Sequence, residues 1–572
     1  MNLSKWSALL LLLPSTMGWS LSVSLKDSGT WPISPGLEAS PPESGVWIDI
    51  ETFGFMTAVG IRYTTDGWNS FKDVQARYEG GLDGERSQWG VDLALQDGIS
   101  LVEFVVYGDS NSGRIWDQGG NHTVGAQSYW IQETERRFQS GEGDYSDLSS
   151  YSVAMWGSSV CNGTGAEGGK SWVALLEEQW QRMNGPQIIQ ASYPGHNTND
   201  KERQQEFDKI QGSDFVVLCL SMGNHGLERQ KTEESAFQIT QWYLNDMFYD
   251  QVADSDPESL IHRIRQMGAE PIVALVYPKG DYQKRHCEQV VKANIIQQSW
   301  QVPTINYFGS VNGGNRFNPE DCQWTDGSLG TLNTQKDASH PNSLGHREMY
   351  YAFPPDLPFA IKAGKETPAK PEQDGGLNID TGYLGIVYEA EFPMTSFTTQ
   401  FDMKGDALGV IAMVHLAGGK SLQLINGKEG IFLHSDLGWY QWLSSHRINW
   451  TNLAVSYSHA RQVLSVYLNG GLVYERRLTY DHSPLYFALG NPNGSEPARD
   501  TISFRNWFVN RTALHSEEVA LRSRTDWLGA GSLDIFAPLA GGIQNRAQTL
   551  QRLEYRTEGR PVPSSRENHY YK

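Results

Sequence analysis

Hydrophobic and polar positions alternate over short runs in the first part of the chain. From about Val46 to Gln127 the segments VWIDIE, TAVGIRYTT, WGVDLAL and LVEFVVY are separated by TDGW, GGLDG, QDG and GDSNSG. Period-two alternation broken by turn residues predicts a β-sandwich. The pattern changes between Tyr151 and Phe353. Continuous apolar runs (YSVAMW, PQIIQAS, DFVVLCL, EPIVALVY, VPTINYF) alternate there with helix-period stretches such as SWVALLEEQWQRM, ESLIHRIRQM and CEQVVKANIIQQSW. Repeating strand–helix units predict a three-layer α/β domain with a parallel, flavodoxin-like sheet. In such sheets the ligand site lies off the carboxyl ends of the strands. Short alternating runs return from Leu377 to Trp527, where LSVYLNGGLVYERR predicts a hairpin turning at Asn469-Gly470-Gly471. A second β-sandwich is expected there.

The remaining stretches fall between these three domains. Ser28–Gly45 and Ile361–Gly376 are rich in Pro and Gly and read as linkers. Residues 528–572 read as a tail with a frayed end. At the start, Lys5, the apolar run Ala8–Leu13 and the small residues before a cut after Ser20 read as a signal peptide, residues 1–20. The expectation is a secreted protein, with no membrane attachment once the signal is removed.

Composition narrows the partners. The chain has 572 residues, 39% hydrophobic and 20% charged, with a formal charge of −20. That acidity repels phosphate backbones, so nucleic acid is not an expected partner. The four cysteines, Cys161, Cys219, Cys287 and Cys322, have no metal-ligand spacing. In an exported protein they can form two disulfides, with Cys287–Cys322 the pair expected; Cys219 also fits a buried thiol. The 19 tryptophans suit sugar stacking or sandwich cores equally.

Four polar segments follow four different strands of the middle region. WGSSVCNGTGA places a serine on a Gly-flanked turn. SYPGHNT offers the backbone N–H of Gly195. SMGNHG offers the Asn224 amide as a donor to developing negative charge. DASHPN places Asp337 and His340 three residues apart. Each alone is a common loop feature; their order along one α/β unit is the signal.

These four segments resemble the blocks of the SGNH, or GDSL-type, hydrolases. The resemblance implies a serine esterase with Ser159 as nucleophile, His340 as base and Asp337 as its partner. It implies an oxyanion hole from Ser159, Gly195 and Asn224, with no cofactor for catalysis. Two departures stand out: Ser158 replaces the family's Asp, and Met222 and His225 flank Gly223-Asn224. The sequon at Asn162, three residues after Ser159, is expected to carry no glycan.

In the first module IRYTTDGWNSFKDVQARYEG and RIWDQGGNHTV resemble the starch- and glycogen-binding family. That implies carbohydrate contacts from Trp68, Trp116, Asp117 and Asn121, and a polysaccharide or glycan partner. Core filling by one or both tryptophans is the plainer alternative. In the last module Trp450, Tyr457 and Asn469-Gly470 resemble the laminin-G/concanavalin-like jelly roll, which implies a glycan or protein ligand and often calcium. Together the expectation is an esterase removing acyl, above all acetyl, groups from a carbohydrate. The alternatives are a lipase or thioesterase of the same family, or an inactive glycan-binding or adhesion protein.

Overall fold

A computed structural model describes residues 21–31, 44–66, 68–81, 86–95, 101–111, 113–117, 122–125, 145–198, 204–248, 259–314, 320–323, 339–369, 375–381, 384–416, 420–435, 439–444, 449–478, 484–494, 501–524, 527–540, 542–557 and 560–561. The signal peptide read at residues 1–20, Asp337 and Asn121 lie outside these residues. The chain divides into two compact units, residues 1–133 and 134–572. No described helix is long and apolar enough to cross a membrane.

The first unit is an antiparallel β-sandwich. One sheet joins Ser22–Trp31, Ser44–Phe53, Arg86–Leu95 and Arg77–Gly81; the other is centred on Ala58–Thr64 and Leu101–Ser110. Alternate residues Ile48, Ile50, Val59, Ile61, Val91, Leu93, Val102, Phe104 and Val106 fill the space between them. Ser22–Trp31 pairs with Ser44–Phe53 from Ser22↔Phe53 to Trp31↔Gly45. The stretch read as a linker from Ser28 to Gly45 is therefore strand at both ends. Ladder pairing satisfies a backbone whose Ser- and Gly-rich side chains carry little strand signal.

In the second unit five strands form an all-parallel sheet: β1 (Ser152–Gly157), β2 (Gln187–Gln190), β3 (Phe215–Cys219), β4 (Glu270–Ala274) and β5 (Thr304–Ile305), in the order β2-β1-β3-β4-β5. Every residue of β3 is buried, as a central strand covered on both faces requires. Helices α1 (Trp172–Arg182) and α4 (Ser343–Ala352) pack on the Val153, Met155 and Val217 face. Helices α2 (Glu233–Met247) and α3 (Lys284–Gln297) pack on the Ala154, Trp156 and Leu218 face. The strand order reverses between β1 and β3, the crevice where doubly wound sheets take their ligands.

All four cysteines are buried free thiols. The expected Cys287–Cys322 disulfide is not formed, although these two thiols are neighbours, as are Cys161 and Cys219. Cys219, at the end of β3, sits in packed core, which its apolar run FVVLCL had left open.

The last domain is a two-sheet β-sandwich. Seven strands, centred on Phe397–Lys404 and Ile502–Asn510, face eight, centred on Gly409–Leu416 and Pro484–Gly490. The hairpin of Val463–Leu468 with Gly471–Arg477 turns at Asn469 (φ 50°) and Gly470 (φ 78°), the paired positive values of a type I′ turn. Part of the stretch read as a tail belongs to this sandwich: Leu533–Ala537 joins the seven-stranded sheet and Glu554–Thr557 the eight-stranded one, while the end expected to fray, residues 562–572, lies outside the described residues. Among the described residues no group of three or more His, Cys, Asp or Glu side chains is gathered so that it could hold a metal ion.

Part of the stretch read as a linker from Ile361 to Gly376 is also structured. Ile361 and Lys362 end the helix Leu357–Lys362, and Lys365 Nζ donates to the carbonyls of Asn545, Ala547 and Thr549. Polar contacts then fuse the α/β domain to the sandwich. Arg511 pairs with Asp534 at 2.8 Å, both about 1% exposed, and donates to the carbonyl of Tyr351. Asn306 N–H donates to Ser532 Oγ at 2.7 Å, and Gln298 to Glu518 at 2.8 Å. Asp356 accepts from Leu550 N–H at 2.7 Å and from Gln551. Breaking one partner of such a buried charged pair costs roughly 3–5 kcal/mol, because the other is left uncompensated.

Burial, reinforced by the charge of Asp534, pushes the Asp356 carboxyl up to about 7. In the unfolded chain it ionises near the usual value of about 4. Between those values the folded protein holds a proton that the unfolded chain has lost, so this group's contribution to stability falls as pH rises and levels off above about 7. The difference in Tm between wild type and Asp356→Asn is therefore expected to drop from pH 4 to pH 7 and then stay flat. A pH-independent difference contradicts the assignment.

Candidate active site

Strand β1 ends at Gly157, and the chain turns at once. Ser158 N–H donates to the carbonyl of Cys219 at 3.0 Å, which ties this turn to the end of β3. Asn162, Gly163 and Thr164 then donate back to Ser158, Val160 and Ser159. Helix α1 begins only at Trp172, capped by Ser171. The elbow is thus a closed turn between strand and helix, as the Gly-flanked serine predicts. The two adjacent serines are sorted by it. Ser158 is 1% exposed, with its Oγ 2.9 Å from Tyr277 Oη. Ser159 is half-buried, with its Oγ 2.8 Å from His340 Nε2.

Three features hold His340 in place. Asn342 caps α4, accepting from Leu344 and Gly345 N–H at 3.0 and 3.1 Å, so the loop carrying His340 ends on a fixed helix. His346, one turn into that helix, donates from Nε2 to the carbonyl of Thr164 in the elbow at 3.0 Å. Trp172 N–H donates to its Nδ1. Burial pushes His346 down to about 4, so it stays neutral and keeps this one-donor, one-acceptor role. Gly165 is the third. Its φ is +96°, and a Cβ there would meet the Pro341 carbonyl at 2.2 Å and His340 Cβ at 3.1 Å. The elbow lies flush against the His340 loop only because residue 165 has no side chain.

The other two loops meet the same edge. Tyr193 N–H donates to the Gly157 carbonyl at 3.2 Å, and His196 Nδ1 lies 3.0 Å from that oxygen. Gly195 is exposed with φ +85° and open space where a Cβ would stand, so the backbone angle is what requires glycine. Asn224 donates from Nδ2 to the His196 carbonyl at 2.7 Å. His225 Nε2 lies 3.1 Å from Thr198 Oγ1, which donates to Asp246 at 2.5 Å. The unusual His225 thus ties the third-strand loop to the second. Among the described residues the backbone N–H groups of Ser159 and Gly195 have no acceptor, and Asn224 keeps a second amide hydrogen. These three donors can serve an oxyanion. Asp337 lies outside the described residues, so the partner of His340 Nδ1 is not placed.

His346, Gly165 and Tyr277 were not singled out from sequence. Gly165 stood in the quoted GTG run, but its need arises from contact with residues far along the chain. His346 looks like any polar residue in a helical pattern.

In the first unit neither Trp68 nor Trp116 belongs to the sandwich core. Trp68, at φ 67°, is half-buried in a turn held by Asp66, which accepts from Ser70 N–H and Thr64 Oγ1. Trp116 is 37% exposed, flanked by the guanidinium groups of Arg62 and Arg114 at 5.1 and 5.6 Å. Asp117 lies 2.7 Å from His122 Nε2 with its side chain only 9% exposed, so it braces the module rather than offering a free carboxylate.

No protein-family model matches the chain, and no curated protein matches it. Solved structures similar to parts of it include the psychrotrophic esterase EstA from Pseudoalteromonas sp. (16% identity, 35% of this chain and 95% of that one, TM-score 0.25). TesA is similar at 15% identity over 35% of this chain and 93% of its own, with a TM-score of 0.26. The carbohydrate-binding module of the muscle glycogen-targeting subunit of Protein Phosphatase-1 is similar at 23% identity over 18% of this chain and 76% of its own, with a TM-score of 0.15. All three are partial likenesses.

Replacing Gly165 with Ala is expected to push the His340 loop off the elbow. A displacement of about 1 Å in a reacting pair can cost about 100-fold in rate. Steady-state hydrolysis of an aryl acetate by Gly165→Ala, with folding checked by circular dichroism, measures it. An unchanged rate contradicts the close-approach argument.

Proposed function

We propose that this chain is a secreted serine esterase that removes acyl groups, above all acetyl groups, from a carbohydrate. The observation that carries the hydrolase half is the 2.8 Å approach of Ser159 Oγ to His340 Nε2 at the carboxyl edge of a parallel sheet. A serine hydroxyl is a weak nucleophile unless a base takes its proton during attack. His340 accepts that proton as Ser159 Oγ bonds to the ester carbonyl. Asp337 orients the imidazole and stabilises its charged form. The tetrahedral oxyanion is received by the N–H groups of Ser159 and Gly195 and by the Asn224 amide. Losing one such donor costs about 100–1,000-fold in rate. His340 then gives its proton to the departing sugar hydroxyl, and the C–O bond breaks. Water, deprotonated by the same imidazole, attacks the acyl-enzyme and releases the acid. The residues supply every proton transfer, and the reading needs no cofactor.

The carbohydrate half rests on the first module. Its sequence resemblance to the glycogen-binding family is supported by Trp116, a partly exposed ring outside the core, backed by two arginines. Exposed aromatic faces are suited to stacking on pyranose rings. Calcium in the last module, secretion and release of acetate from a glycan belong to the same proposal.

Ser159→Ala is expected to abolish aryl acetate hydrolysis while the protein keeps its wild-type Tm within a degree or two, since this half-buried hydroxyl fills no core. Retained turnover eliminates Ser159 as nucleophile. In the full chain, Trp116→Ala is expected to weaken retention on insoluble α-glucan without changing aryl acetate turnover. Equal retention removes Trp116 from the binding face.

A further inference from the structure

A cavity of about 150 Å³ lies where the α/β domain meets the C-terminal sandwich. None of the residues placed at the Ser159 edge lines it. One wall is the helix Tyr307–Val311, through Phe308 and Gly309; the others come from the strands Thr451–Ser458 and Val463–Leu468 and from the turn at Leu514 and His515. The two domains meet closely at its edge: a Cβ on Gly309 would reach the Ala513 carbonyl at 2.2 Å. One water needs roughly 10–15 Å³ of such space, and a drug-sized ligand about 300–1,000 Å³, so this cavity suits a molecule of a single ring.

Two unlike charges line this space without pairing. Arg461 is half-buried, and its guanidinium makes no hydrogen bond or ion pair among the described residues. Glu475, exposed at the rim, accepts only from Ser465 Oγ, at 3.4 Å. The hydroxyls can be assigned. Thr398 Oγ1 gives its proton to the Thr512 carbonyl at 3.0 Å, so at 2.9 Å it accepts from Ser456, whose lone pairs are left over. Ser458 Oγ accepts from Arg461 N–H at 3.3 Å and keeps its own proton. His515 Nδ1 accepts from Glu517 N–H at 3.3 Å, and burial pushes this imidazole down, so it is neutral with its proton on Nε2. No described residue accepts that proton. The lining thus holds unspent donors on Arg461, Ser458 and His515 and unspent acceptors on Ser456 and Glu475.

That inventory selects the ligand. An anion would meet Glu475, a cation would meet Arg461, and an apolar molecule would leave every one of these groups unmet. A hydroxyl both donates and accepts, and a ring bearing several hydroxyls answers the whole set, with Tyr467 and Leu514 as apolar wall. We propose that this cavity binds one neutral sugar ring, free or at the end of a glycan chain, with Arg461 donating to its hydroxyls and Glu475 accepting from one of them. The site is built by two domains and goes beyond the esterase reading. It does not depend on that reading, since a catalytically dead chain would bind the sugar equally well.

The test is calorimetry and saturation-transfer NMR on the full chain carrying Trp116→Ala, which removes the aromatic ring proposed for the first module. The probes are glucose, galactose, mannose and xylose, their disaccharides, and acetate and glycine as an anion and a zwitterion. At least one sugar is expected to bind with a Kd of about 1 mM, and Arg461→Ala is expected to weaken it about tenfold or more, the scale of a charge-assisted hydrogen bond. Glu475→Gln, a rim substitution, is expected to weaken it several-fold and serves if the Tm shows that Arg461→Ala does not fold. Tighter binding of a disaccharide identifies a chain end and equal binding a free sugar; both uphold the site. It is overturned if no sugar binds, if affinity is the same in Arg461→Ala and Glu475→Gln, or if acetate or glycine binds in place of the sugars. Loss of sugar binding in Ser159→Ala would move the binding to the esterase edge and overturn it too.

Discussion

The contact between Ser159 Oγ and His340 Nε2 closes a loop of 181 residues. Neither residue has a local reason to meet the other. Ordering so long a loop is entropically costly, and one hydrogen bond does not offset it. What brings the two together is the parallel sheet. Its strands are packed between helices on both faces, and each crossover returns the chain to the same carboxyl edge. The pair is thus a product of the whole α/β core. A cavity anywhere along β1 or α4 acts on this distance.

The loops at that edge are tied to one another rather than left to find their places. His346 joins the elbow to α4, Asn224 and His225 join the third-strand loop to the second, and Gly165 lets elbow and His340 loop touch. On the proposed esterase reading these are preorganising contacts: they would hold donors where charge develops and ask for no rearrangement at the moment of reaction. The C-terminal sandwich adds to this rigidity. Arg511 reaches the carbonyl of Tyr351 at the end of α4, the helix that follows His340 directly. The α/β domain and the sandwich share buried polar and backbone contacts and pack as one compact unit.

Sequence pattern revealed the parts of this account that depend on local chemistry. Buried strands such as FVVLCL, the Asn469-Gly470 turn and the four polar blocks were legible because each is set by periodicity or by a residue's own backbone preference. The separation of Ser158 from Ser159 was legible only through the family resemblance. Contacts made across the fold were hidden. Lys365 lies in a Pro- and Lys-rich run that reads as a linker, yet its ammonium group is captured by three carbonyls about 180 residues further along. The strands after Leu528 are short, and Glu554–Thr557 finds its partner as far back as Leu384–Glu389, so no local alternation announces them. Gly165 and Tyr277 owe their roles to neighbours that only the folded sheet supplies. The cysteines misled for a related reason: a disulfide was expected from compartment and count, while burial in packed core is what the fold gives each thiol.

The central claim is that Ser159 is made nucleophilic by His340. An organophosphonate ester that phosphonylates activated serines tests it most directly, read by intact mass and peptide mapping. The account predicts one adduct on wild type, on the peptide bearing Ser159, and almost none on His340→Ala under the same conditions. Adduct on another residue, or equal labelling with and without the imidazole, would contradict it.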